Sequence, residues 1–146
     1  MRDILFRGKS TETNQWCYGG FHIWKKRQIC VLGDDKLKDD EISYVITVNS
    51  FADWNMPRTM QAVEVIADTV GQYTGLTDRN GNKIFEGDIV NILTENEEIG
   101  VIVYEDGGFI VHADKFSIDI IYKINRTDVE VIGNKYDNPK LMEIQE

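Results

Sequence analysis

The sequence predicts a mostly β fold with minor α content. Three observations carry this expectation. Short apolar runs rich in Val, Ile, Tyr, Phe and Trp recur along the whole chain, many alternating with polar residues; period-2 alternation marks a half-buried strand. Clusters of Gly, Asn and Asp separate the runs, the chemistry that tight turns require. Sustained 3.6-residue periodicity, the mark of an amphipathic helix, is scarce.

Taken in order, strands are expected near residues 4–7, 16–23, 28–32, 44–48, 63–66, 70–73, 88–93, 99–104, 108–112, 118–121 and 129–133. Lys25-Lys26-Arg27 reads as a solvated hairpin turn between Ile23 and Gln28. The polar, acidic stretch from Gly33 to Glu41 reads as a loop. Ser50 to Met56 has room for one or two helical turns, stopped by Pro57. Asp78-Arg79-Asn80-Gly81 and Glu105-Asp106-Gly107-Gly108 are hairpin signals, because Asn-Gly and Asp-Gly tolerate positive φ. The second of these joins 101–104 to 109–111 in a tight hairpin.

Turn residues cluster and the charge balance shifts around residues 67–83, which marks a seam. An N-terminal β-rich segment with a short helix is expected over 1–67. A C-terminal SH3-like, partly open β-barrel is expected over 68–146, packed tightly against the first. Five short strands fill 84–133, opened by Phe85-Glu86-Gly87-Asp88-Ile89-Val90, where Gly bends the chain and Asp bonds its own backbone.

The chain has 146 residues, enough to bury a core without a metal or disulfide staple. With 16 basic and 25 acidic residues its net charge is −9. Residues 1–73 hold nine basic and ten acidic residues, net −1; the remainder hold seven and fifteen, net −8. Such an acidic chain is not expected to bind duplex nucleic acid directly, since binding rests on Lys and Arg displacing phosphate counterions. No apolar run reaches the ~20 residues that span a bilayer, and the opening MRDILFRGKS lacks the apolar stretch of a signal peptide. No membrane contact is expected. Cys17 and Cys30 read as free thiols in a reducing, cytoplasmic setting; a disulfide between them is sterically open if they lie on paired strands.

Candidate chemistry is sparse. Glu86 and Asp88, two apart, would share one face of a strand and suit a metal or a general acid–base pair; the alternative is that Asp88 bonds turn amides and Glu86 is solvated. Cys17, His22, Cys30 and His112 are zinc-ligand types without zinc-site spacing. No nucleophile elbow, P-loop or dinucleotide-binding fingerprint occurs. Lys25-Lys26-Arg27 behind Trp24 is the one basic cluster, too small for a phosphate groove. Trp16, Tyr18, Phe21 and Trp24 form an aromatic-rich strand that reads as core, or as an interface if half of it is exposed. No catalytic, cofactor-binding or metal-binding residue is assigned, and no cofactor is expected.

Phe6-Arg7-Gly8-Lys9, Trp16-Cys17-Tyr18-Gly19, the run from Thr69 to Val90 and Val131-Ile132-Gly133-Asn134-Lys135-Tyr136-Asp137-Asn138-Pro139 together resemble the YopX family of bacteriophages and prophages. The stretch from Ile23 to Ala67 matches no motif of that family. The resemblance implies a small accessory protein made in the host cytoplasm and carries over no reaction, cofactor or catalytic residue. The expected function is therefore binding without catalysis, through contacts with a host or phage protein, with self-association through the weakly charged first half. Two alternatives come from other classes. One is an acidic nucleic-acid mimic that occupies a host protein, resting on the −8 half. The other is a small hydrolase built on Glu86 and Asp88.

Overall fold

The hairpin at Asp106-Gly107 shows how locally this chain is specified. In the computed structural model, which describes residues 1–49, 54–93, 98–113, 116–119 and 128–145, these two residues have φ of 50° and 82°. Glu105 pairs with Gly108 across them. Positive φ at both loop positions matches the right-handed twist of the flanking strands.

Strands dominate the described residues. In chain order they are β1 Phe6–Lys9, β2 Trp16–Lys25, β3 Ile42–Asn49, β4 Met60–Glu64, β5 Gly71–Thr77, β6 Lys83–Phe85, β7 Asp88–Ile92, β8 Glu98–Glu105, β9 Gly108–Ala113, β10 Phe116–Asp119 and β11 Val129–Asn134. Helical structure among the described residues is limited to 3-10 turns at Asp39–Glu41, Ala67–Thr69 and Pro139–Gln145. The expected helix over Ser50 to Met56 falls partly on 50–53, outside the described residues; Trp54 to Met56 form a turn and bend.

The chain divides into two compact units, Leu5–Val70 and Met1–Ile4 with Gly71–Glu146. In the first, β1, β2, β3 and β4 lie side by side, each antiparallel to the next. Phe21 of β2 sits opposite Ile46 of β3, which sits opposite Val63 of β4. Ile46 is fully buried, with Val45 and Val65 nearly so. Phe21 bridges Phe6 and Tyr44, with ring centroids 5.5 and 6.3 Å away, within the range of favourable aromatic pairs.

In the second unit β5 and β6 form an antiparallel hairpin, and five strands form an antiparallel sheet in the order β10-β9-β8-β7-β11. Ile84, Val90, Ile92, Ile102, Val111 and Val129 make its core, with Leu76, Phe109 and Val131 packed against them. No closed barrel occurs among the described residues; the sheet ends at β10 and β11.

Two expectations fail in the first unit. Residues 28–32 form no strand. The Cys30 N–H, which a ladder would need, is given to Asp35 Oδ2 at 2.6 Å. Lys25-Lys26-Arg27 is exposed but turns no hairpin: β2 runs on to Lys25, paired with Ile42 of β3, and the guanidinium of Arg27 gathers the loop that follows.

Candidate functional site

Glu86 and Asp88 do not share a strand face. Glu86 lies in the turn between β6 and β7, and Asp88 begins β7. The Glu86 N–H donates to the Gln72 carbonyl at 2.9 Å, and the Gly87 N–H to that of Ile102 at 2.8 Å. Gly87 has a φ of 90°, where a side chain is strained. Asp88 is only 2% exposed, and its Oδ2 accepts the Phe85 N–H at 2.8 Å. Asp88 thus closes the turn that sends the chain from β6 into β7, the turn-bonding alternative set out above.

A second buried carboxylate lies in the same unit, at the run Asp78 to Asn82. Asp78 Oδ1 accepts the backbone N–H groups of Asn80 at 2.9 Å and Asn82 at 2.8 Å. Its Oδ2 accepts the Val131 N–H at 3.0 Å and the Asn82 side-chain amide at 3.3 Å. The Arg79 N–H adds a bond to the Val129 carbonyl at 3.1 Å. The sequence marks this run as a hairpin turn; it does not reveal that the turn is tied to β11, some fifty residues on. Burial works to raise the Asp78 carboxyl, but the donors from Val131, Asn82 and Asn80 outweigh it and hold the group below its ordinary value. With four donors on its two oxygens, this carboxylate is placed to hold structure.

The zinc-type residues are not gathered. Cys17 pairs with Gly8 and His22 with Val45, on opposite faces of β2. No group of three or more His, Cys, Asp or Glu side chains arranged for a metal occurs among the described residues. Cys17 and Cys30 are both free thiols, the first half-buried and the second exposed.

The first unit instead presents apolar surface. The aromatic strand is not core: Trp16 and Phe21 are half-buried, while Tyr18 and Trp24 are exposed. Arg7 and Lys9 lie over the Trp16 ring, at 4.6 and 5.4 Å from its centroid, the geometry of cation–π contact. Beyond β2, Arg27 organises the loop through 41. Its Nη1 and Nη2 donate to the two oxygens of Asp35, both at 3.0 Å. Its Nε and Nη2 donate to those of Glu41 at 2.8 and 3.3 Å. Hydrogen bonds to Asp35 and Glu41 raise the Arg27 pKa, and Arg27 in turn holds both carboxyls below their usual range. The loop so gathered carries Val31 and Leu32 95% and 87% exposed. Trp54 is 93% exposed in the same unit. A contiguous exposed apolar patch marks an interaction site, whereas singly scattered apolar residues need no explanation. The sequence signal for it was the run Ile29 to Leu32 itself, which reads equally well as a strand.

No helix among the described residues is long and apolar enough to cross a membrane.

The family described as YopX protein matches residues 5–143. A Bacillus subtilis (strain 168) protein described as an SPbeta prophage-derived uncharacterized protein, YopX, is 25% identical over 134 residues, covering 84% of this chain and 95% of its own. The crystal structure of protein EF1440 from Enterococcus faecalis aligns with a TM-score of 0.53 and 23% identity, over 97% of this chain and 99% of the other. This last likeness is one of fold.

Proposed function

The chain belongs to the YopX family, and on that premise we propose that it is a prophage accessory protein that acts by binding a protein partner in the host cytoplasm. The observation that carries the reading is the exposed apolar loop tip, Val31-Leu32, on the loop that Arg27 ties together through Asp35 and Glu41. Exposing two aliphatic side chains to water is unfavourable, and burying such a side chain against a partner returns roughly 1.5–3 kcal/mol each. The carboxylates Asp78 and Asp88 support binding over hydrolysis, because both are buried and occupied by backbone donors. We read the second unit as an SH3-like module; its five-strand count and tight β8–β9 hairpin support that relation.

The test is capture of partners from host cells by wild-type chain and by Val31→Asp/Leu32→Asp. Both positions are exposed, so stability should change by less than ~0.5 kcal/mol, while a specific partner held by the wild type should be lost. Retention of that partner by the double variant refutes the assignment. Duplex DNA should not bind at physiological salt, given a net charge of −9. If the acidic-mimic reading holds instead, the chain will compete with DNA for a basic host protein, and that competition will fade as salt rises.

A further inference from the structure

The connection from β2 to β3 has no core of its own to hold it. Among the described residues, none from Lys26 to Glu41 is buried, and only Asp35, Leu37 and Glu41 are half-buried. Two backbone hydrogen bonds close its ends, from the Lys26 N–H to the Glu41 carbonyl and from the Glu41 N–H to the Lys38 carbonyl, both at 2.9 Å. Residues 28–37 depend on side chains, and the bonds converge on one guanidinium. Besides its forks to Asp35 and Glu41, Arg27 donates from Nη1 to the Gln28 carbonyl and from Nη2 to the Lys36 carbonyl, both at 3.3 Å. Asp35 Oδ2, so held, accepts the Cys30 N–H at 2.6 Å. The remaining contact, from the Cys30 Sγ to the Leu32 carbonyl at 3.5 Å, is that of a weak donor. Arg27 therefore reaches, through Asp35, the residue that precedes Val31-Leu32.

We infer that Arg27 is the positioning residue of the loop tip, a salt-sensitive latch that fixes residues 28–37 before any partner arrives. Only a guanidinium fits the place. Its planar set of donors serves two carboxylates and two carbonyls at once, whereas a lysine ammonium is a compact point charge with three donors. The latch lies within reach of salt, because the Arg27, Asp35 and Glu41 side chains are 39%, 26% and 25% exposed. A single exposed ion pair is weak; what holds here is the pair of forks acting together. Fixing the tip in advance lowers the ordering cost that binding would otherwise carry. That purpose rests on reading Val31-Leu32 as the partner surface. The latch itself is measured with no partner present, so the two can fail separately.

Hydrogen exchange of the Cys30 amide in the full chain, read by NMR and corrected for the unfolded-chain rate, tests it. Arg27→Lys should speed that exchange by ~10-fold or more, with the circular dichroism unchanged. Glu41→Gln is the sharper change, because Glu41 is not the acceptor of the Cys30 N–H. It should speed the same amide by about 3-fold, since the charge it removes reaches Cys30 through Arg27 and Asp35. Should Arg27→Lys disturb folding, a salt series on the wild type decides. From about 0.05 to about 1 M salt, where the screening length falls to ~3 Å, exchange at Cys30 should quicken several-fold. A Cys30 amide indifferent to Arg27→Lys in a folded protein, indifferent to Glu41→Gln, or level across the salt series would each overturn the proposal.

Discussion

Asp78→Ala is expected to lower the unfolding free energy by about 3 kcal/mol, read by urea denaturation. Four donors now converge on that side chain, and two of them, the Val131 and Asn82 backbone N–H groups, come from segments almost fifty residues apart. Removing the carboxylate strands those donors in a site that is 3% exposed, where an unmet polar group costs ~1–3 kcal/mol. The same site fixes a pH dependence. The folded-state pKa of Asp78 is lowered, so its contribution is fully present above the unfolded-state value of about 3.9. It is lost as pH falls below that value through the lower folded one. A stability–pH series should therefore show a loss below about pH 4 that is smaller in Asp78→Ala. An acid limb of equal size in both proteins would dissociate Asp78 from it.

Gly19→Ala is expected to cost about 4 kcal/mol and to act on the Leu5–Val70 unit. A Cβ at position 19 would overlap the Thr47 backbone carbonyl, and backbone in a paired strand cannot move aside without breaking the ladder. Gly20→Ala is the control. There the added Cβ would lie 2.9 Å from the Thr47 Oγ1, a side-chain atom that can rotate away, so the cost should stay near 1 kcal/mol. Equal losses for the two changes, read as melting temperature, would show that the close β2–β3 approach is not what position 19 serves.

Local structure was readable in the sequence. Asp106-Gly107 and the alternating runs on either side of it specify a hairpin from six or eight residues, because turn type and strand period are local properties. The long-range ties are not local. Nothing around Asp78 announces Val131, and the run Ile29 to Leu32 has the β-branched, apolar character of a strand. It is kept out of the ladder by Asp35, which takes the Cys30 N–H, and by Arg27, which spans Asp35 and Glu41. Tertiary hydrogen bonds override propensity there. Trp24 misleads in the same way: its spacing suits a core, yet it stays exposed on a strand whose buried partners are Ile46 and Val45. For the candidate carboxylates, the Gly87 bend and the turn bond of Asp88 were legible as one of two readings, but the Gln72 and Ile102 carbonyls that accept from the turn were visible only in three dimensions.

On the proposed function, partner binding falls to the apolar loop tip of the first unit and not to the Glu86–Asp88 turn. Cys30 offers a direct probe, since it is exposed and stands next to Val31. In a Cys17→Ser background, a thiol-coupled photo-crosslinker is placed at Cys30. In a second protein carrying Cys17→Ser, Cys30→Ser and Glu86→Cys, it is placed at position 86. Both are irradiated in host extract and the adducts identified by mass spectrometry. One specific host protein should be joined from position 30 and none from position 86. A host protein joined from position 86 and absent from position 30 would contradict it.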